Sequence, residues 1–358
     1  MYSPPMTGYL KYLEAQWKLA TAPRKKNAPT VVSTFSSAGG SSLGYHMAGM
    51  SERLAVEWDK HKVETFKVNF PKVPLFYGDI HDLSVTEALR LSGLEPGELD
   101  IFDGSPPCQG FSLAGHRVLN DSRNTLFREY IRLLRGFKPK AFIFENVKGM
   151  TTGKMKSVFN DAMRELAASG YKVRAQIIVA SNFGVPQTRP RLFITGIQND
   201  LNKEAPVLHA TRHPVTAGEA CLGADTTVPA KNLHTKYKDW WGHIPIGKAA
   251  NAVDPRPHQG FTSLTKLDPA KPSPTLRALT TTNGYGTAVH WREKRPISVG
   301  EAKRLSSFPD GYQILPSPQN EPGEYVKAWE AVGDCVPPFV AAEVARQVLE
   351  VINATSRA

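Results

Sequence analysis

The chain reads as an α/β protein, with a doubly wound, Rossmann-like, mostly parallel sheet and a smaller irregular module attached. Two features of the sequence point there. From Val31 to about residue 200, short apolar runs rich in Val, Ile and Phe alternate with stretches of helical periodicity, as in a parallel sheet covered on both faces. Between about 201 and 290 the rhythm fails, and Pro, Gly, Thr and His recur with few long apolar runs.

In order along the chain, Leu10, Leu13 and Trp17 fall at helical spacing in an N-terminal extension, residues 1–29, which ends in the basic linker PRKKNAP. Strands are expected at VVSTF (31–35), LAVE (54–57), LDIFD (99–103), KAFIFE (140–145), AQIIVA (175–180) and RLFITGI (191–197), with a short one before YGDI. Helices are expected near 41–49, 59–68, 83–92, 124–136 and 155–168, then at 298–307 and 338–352. The expected domains are 1–29, a catalytic portion 30–200, an irregular module 201–290, and the remainder of the catalytic portion at 291–358. In doubly wound sheets ligands bind beyond the carboxyl ends of the strands, so chemistry is expected in the loops after Phe35, Glu57, Asp103 and Glu145.

Composition narrows the function classes. With 41% hydrophobic and 22% charged residues among 358, the chain can bury a core, which excludes wholesale disorder. It has neither a run long enough for a membrane span nor the apolar stretch of a signal peptide, so a cytoplasmic location is expected, nucleoid-associated if the source is bacterial. Three distant cysteines, Cys108, Cys221 and Cys335, exclude a disulfide framework and a structural zinc. The net charge of +11 fits a polyanionic partner. Ten Lys or Arg against six Asp or Glu put +4 of it in residues 201–290, beside six of the ten histidines and the pair Trp240 and Trp241. That module reads as built for contact.

FSSAGGSSLG follows the first strand and places Gly39, Gly40 and Gly44 at a strand-to-helix turn, where backbone amides can approach a ligand. Glu57 closes the second strand about 20 residues later, the place of an acid that takes ribose hydroxyls. Trp58 could stack on an adenine or simply pack in the core. Asp79 in YGDI could accept from an adenine amino group. Together these residues suggest an adenosine-containing ligand.

LDIFDGSPPCQGFS sets Cys108 in a proline-braced loop directly after a buried strand, the setting of a positioned nucleophile. Glu145 ends the next strand and is followed by Asn146. Neighbouring parallel strands would bring Glu145 and Cys108 to one cleft, where a partly desolvated carboxyl group could donate a proton. Its alternative is a cap on the following turn. In QTRPRLF, Arg189 and Arg191 occupy alternate positions and would point to one face of a strand, either into that cleft or into a surface ion pair.

The order FSSAGG, EWD, GDI, GSPPCQGFS, ENV, QTRPR, a variable basic stretch, EAKRLSSFPD and GDCVPP resembles the DNA cytosine-C5 methyltransferases over about residues 30–350. The resemblance implies a methyltransferase sheet with a target recognition domain at 201–290. Its cofactor would be S-adenosylmethionine, bound by Phe35, Gly39, Gly40, Glu57, Trp58, Asp79 and Ile80, and Asp103 is counted with them. It also implies that Cys108 adds to carbon 6 of a flipped cytosine, that Glu145 bonds N3 and the exocyclic amine, and that Arg189 and Arg191 support the pyrimidine oxygen and the loop. A lid is expected at Ser112–Arg123. The expected partner is double-stranded DNA, with a separately acting cognate restriction endonuclease as a further candidate. No membrane partner is expected, and the chain should act as a monomer.

Three positions depart from the family pattern: Ser37 replaces the first glycine of its opening motif, Asp334 an asparagine and Gly300 an arginine. A tRNA cytosine-C5 methylase on the same scaffold would share every catalytic residue. The 201–290 module, larger than RNA-directed relatives are expected to carry, favours DNA. A nucleotide-dependent dehydrogenase would leave Cys108, Glu145 and the paired arginines unexplained, and a non-catalytic DNA-binding protein would need a damaged site.

Overall fold

Each apolar run becomes a strand of one sheet in the computed structural model, which describes residues 7–106, 125–226, 241–252, 265–276, 288–315 and 324–354. The chain forms α1 (Gly8–Thr21), β1 (Thr30–Thr34), α2 (Gly40–Met47), β2 (Ser51–Glu57), α3 (Lys60–Asn69), β3 (Leu75–Tyr77) and α4 (Val85–Ser92). Next come β4 (Ile101–Gly104), α5 (Thr125–Phe137), β5 (Ala141–Val147), α6 (Lys156–Ala168), β6 (Tyr171–Val179), β7 (Gln187–Thr188) and β8 (Pro190–Gln198). The less regular portion holds α7 (Ala217–Cys221), β9 (Thr265–Lys266), β10 (Ser273–Pro274) and β11 (Ala288–Val289), followed by helices Val299–Leu305, Glu324–Asp334 and Pro338–Asn353.

The seven-stranded sheet has the order β3-β2-β1-β4-β5-β8-β6. Its strands run parallel except β8, which lies antiparallel between β5 and β6. The order reverses direction between β1 and β4, which makes the carboxyl ends of those two strands the switch point where ligands of such sheets bind. Apolar runs on the inner strands are buried on both faces, as Val31, Val32, Ile101, Phe102, Phe142 and Phe144 show. Helix α5 covers one face with Phe127, Tyr130, Ile131, Leu134 and Phe137, spaced three and four apart. Among the described residues no helix is long and apolar enough to cross a membrane.

Two compact units divide the chain. One, made of residues 19–179, 190–210 and 340–358, contains the large sheet. The other joins residues 1–18, 180–189 and 211–339. These bounds follow contacts and so differ from the composition-based partition: residues 1–18 and 291–339 fall in with the irregular stretch. Within that unit Tyr9 and Tyr12 meet Phe339 edge-on, Trp17 meets Tyr312, and the Tyr9 hydroxyl donates to the carbonyl of Arg304. The ladders of this unit are two residues long, β7 with β10 and β9 with β11. Cys221 and Cys335 are buried, as packing residues would be.

Candidate active site

The cofactor-side residues gather at the carboxyl ends of β1, β2 and β3. After β1 the chain turns through Phe35 and Ser37, both with left-handed φ of 56° and 51°, before Gly39 at 88° opens α2. The left-handed φ explains why a glycine suits position 37, and serine holds it at some cost in backbone strain. Glu57, buried at the end of β2, binds this turn: its Oε2 accepts from the Ser37 N–H at 2.7 Å, and its Oε1 from the Trp58 and Asp59 N–H groups at 3.0 and 2.9 Å. Each carboxylate oxygen accepts two bonds, so Oε2 keeps capacity for a hydroxyl.

Trp58 is 73% exposed, which removes the core-packing alternative and leaves an aromatic face beside Glu57. Glu57 pairs with Tyr77 across β2 and β3, and the Gly78 N–H donates to the Glu57 carbonyl at 3.1 Å, which brings Asp79 to the same sheet edge. The backbone N–H of His81, then its ring, hold the Asp79 carboxyl below the usual range. Ile80 is buried behind it. An exposed π face next to Glu57, with Asp79 on the same sheet edge, fits the base and hydroxyls of an adenosine.

Asp103 stands apart from these. It is fully buried on β4, hydrogen-bonds the Tyr45 hydroxyl, and burial pushes its carboxyl up to about 8. Its place is beneath the switch point, where its carbonyl accepts from Thr34 Oγ1 at 3.0 Å.

On the reactive side, Glu145 and Arg191 meet. They lie on adjacent strands β5 and β8, and Arg191 Nε is 3.0 Å from Glu145 Oε1, with both side chains largely buried. Asn146 donates through Nδ2 to the Pro106 carbonyl at 3.1 Å, while its Oδ1 accepts from the Val147 N–H at 2.8 Å. The end of β5 is thereby tied to the last described residue before the cysteine segment. Cys108 itself and the Ser112–Arg123 stretch lie outside the described residues.

Arg189 does not share a strand face with Arg191. It precedes β8, which starts at Pro190, and its buried guanidinium donates to the carbonyls of Leu276 at 2.9 Å and Gly333 at 2.8 Å. The alternation expected from sequence assumed a strand running through position 189, and Pro190 begins it instead.

Three residues without a role in the sequence reading matter locally: Tyr45, Asn146 and Gly104. A Cβ on Gly104 would lie 2.5 Å from both Thr34 Oγ1 and the Tyr130 ring, so the strand entering the cysteine segment has no room for a side chain there. Asn146 was visible as part of ENV, but its bond spans 40 residues and has no local signature. Gly300 is explained similarly. A Cβ there would sit 2.3 Å from the Asp225 carbonyl, which excludes an arginine.

The family model of C-5 cytosine-specific DNA methylases matches residues 30–350. The Type II methyltransferase M1.HphI of Haemophilus parahaemolyticus is 30% identical over 340 residues, covering 90% of this chain and 87% of that protein. M.NgoPII of Neisseria gonorrhoeae, also a Type II methyltransferase, is 29% identical over 353 residues, covering 93% and 99%. Among solved structures, an E. coli prophage-encoded protein described as a DNA modification methyltransferase superposes with a TM-score of 0.73 at 24% identity, covering 91% of this chain and 100% of that one. DNMT2 of Spodoptera frugiperda shares the fold, with a TM-score of 0.63, 18% identity, and 90% and 100% coverage. A family model matching residues 30–350 places this protein among the C-5 cytosine-specific DNA methylases.

Proposed function

We propose that the protein methylates carbon 5 of a cytosine flipped out of duplex DNA, at a specific sequence, with Cys108 as nucleophile. The observation that carries the proposal is the tie between the two halves of the reactive site: Glu145 held by Arg191, and Asn146 bonded to the carbonyl at the root of the cysteine segment.

Carbon 5 of cytosine is a weak nucleophile within its aromatic ring. A Cys108 thiolate adding to carbon 6, with Glu145 bonded at N3, turns the ring into an enamine whose electron density lies at carbon 5. Loss of the carbon 5 proton to a base and elimination of the thiolate from carbon 6 restore the aromatic ring. Carbon 6 is hidden in the base stack, so the nucleotide must be extruded, at a cost of a few kcal/mol. S-adenosylmethionine, when bound, supplies the electrophilic methyl group. Phe35, Gly39 and Gly40 would face its amino-acid end, Glu57 the ribose, and Trp58, Asp79 and Ile80 the adenine. Asp103, buried beneath the site, acts on its shape.

Two of the relatives named above, M1.HphI and M.NgoPII, are Type II methyltransferases, which favours DNA over tRNA as substrate, and a separately acting restriction endonuclease is the counterpart proposed for the chain. Residues 201–290 are assigned to target recognition, and the working state to a monomer. A duplex carrying 5-fluorocytosine at the target tests the chemistry, because fluorine cannot leave as a proton does. With S-adenosylmethionine present, the native protein should form an adduct that survives denaturing gel electrophoresis, and Cys108→Ser should not. Adduct formation by Cys108→Ser would overturn the nucleophile assignment, and methylation of tRNA in preference to DNA would overturn the substrate.

A further inference from the structure

We propose that Arg132 is a positioning residue for the cofactor, holding the Asp79–Leu83 turn in the shape that meets the adenosine end. This rests on the reading of Glu57, Trp58 and Asp79 as the cofactor site. The turn is a three-residue 3-10 helix, Ile80–Asp82, capped by Asp79, whose carboxylate accepts from the His81 N–H at 3.0 Å and lies 2.6 Å from His81 Nδ1. A helix this short cannot satisfy its own last carbonyls. The Ile80 carbonyl receives a long bond of 3.3 Å from the Leu83 N–H.

Arg132 completes the turn from below. Its Nη2 donates to the Ile80 carbonyl at 3.1 Å and to the Leu83 carbonyl at 2.8 Å, while its Nε donates to Glu129 Oε2 at 2.7 Å. Glu129 lies one helical turn earlier on α5, and its Oε2 is also 2.5 Å from Nη2, so a single Nε/Nη2 edge of the guanidinium is fixed by the carboxylate and holds the turn. These are charge-assisted bonds to a partly buried group, stronger than neutral ones. A lysine ammonium has no planar fork with which to hold Glu129 and two carbonyls together. The platform is firm, because Tyr130, Ile131 and Leu134 of α5 are buried in the core beneath the sheet. Arg132 therefore acts through Asp79 and Ile80, whose placement relative to Glu57 and Trp58 decides how well an adenosine fits.

Calorimetric titration with S-adenosylhomocysteine tests this on the full chain, with thermal unfolding of the ligand-free protein recorded in parallel. Arg132→Met should weaken binding about tenfold, and Arg132→Lys, which can restore one bond, about threefold. Each ligand-free variant should lose some thermal stability yet remain fully folded at the titration temperature, and KM for duplex DNA should not change. Binding by both variants within twofold of native, or weakening that merely follows a loss of folded protein, would overturn the assignment. Failure of the native protein itself to bind S-adenosylhomocysteine would instead overturn the cofactor reading, and this inference with it.

Discussion

Arg191 holds Glu145 by an ion pair of 3.0 Å between facing antiparallel strands, where Val147 pairs with Arg191. The antiparallel insertion of β8 beside β5 is what makes the contact possible, since it carries an arginine to the carboxyl end of a strand that otherwise has parallel neighbours.

Arg191→Gln should slow methyl transfer about a hundredfold while S-adenosylhomocysteine affinity stays near native, because the pair orients a group that acts on the base. Glu145→Gln should do the same. The double variant should fall no further than the worse single one, as expected of residues acting as a unit. Single-turnover rates check this, and additive losses would separate the two roles.

Asp103 makes stability depend on pH. Burial raises its carboxyl from an ordinary 3.8 to about 8, so between those values the folded chain holds a proton that the unfolded chain has released. The stabilising contribution is complete below the unfolded value and is lost as pH rises through the folded one, at a slope of at most about 1.4 kcal/mol per pH unit. Asp103→Asn removes the slope. Urea denaturation at about pH 5.5 and 8.5 should show the native protein losing stability that the variant keeps, and parallel behaviour would contradict the assignment.

Gly104→Ala should destabilise the protein by about 1–3 kcal/mol, because the new methyl meets Thr34 and Tyr130 on both sides. Methylation should fall with it, since this strand end leads into the cysteine segment. Gly8→Ala on α1, where nothing lies within 4 Å, is the control and should be neutral or slightly stabilising.

Trp58→Ala should leave the ligand-free protein within about 0.5 kcal/mol of native, as an exposed side chain contributes little to folding. It should weaken S-adenosylhomocysteine binding about two- to tenfold, the worth of one aromatic stacking contact. Titration of native and variant proteins measures both, and unchanged affinity would take Trp58 out of the site.

Much of the sheet was legible because fully buried strands are written as continuous Val, Ile and Phe runs, as in AFIFENV and RLFITGI. Strand direction is not written that way, and so the reversal of β8 is not legible in the sequence. The placement of Glu57, Trp58 and Asp79 at or just beyond strand ends is legible from local motifs, since β2 ends at Glu57 and β3 at Tyr77. The partners of Arg189 were hidden, because Leu276 and Gly333 lie 87 and 144 residues away and offer only backbone oxygens. The helix Glu324–Asp334 is not legible for a different reason: it follows the Pro- and Gly-rich stretch LPSPQNEPG, which masks its onset.

The interleaving of the two units has a consequence for how the chain is made. The sheet-bearing unit draws on residues 340–358, and the other unit on residues 1–18 as well as 211–339, so neither is complete until the chain to residue 339 or beyond has left the ribosome. No single cleavage separates them into self-sufficient halves. Folding must wait for contacts between distant parts of the chain, a topology associated with slow acquisition of the native state and prolonged exposure of apolar strands to chaperones.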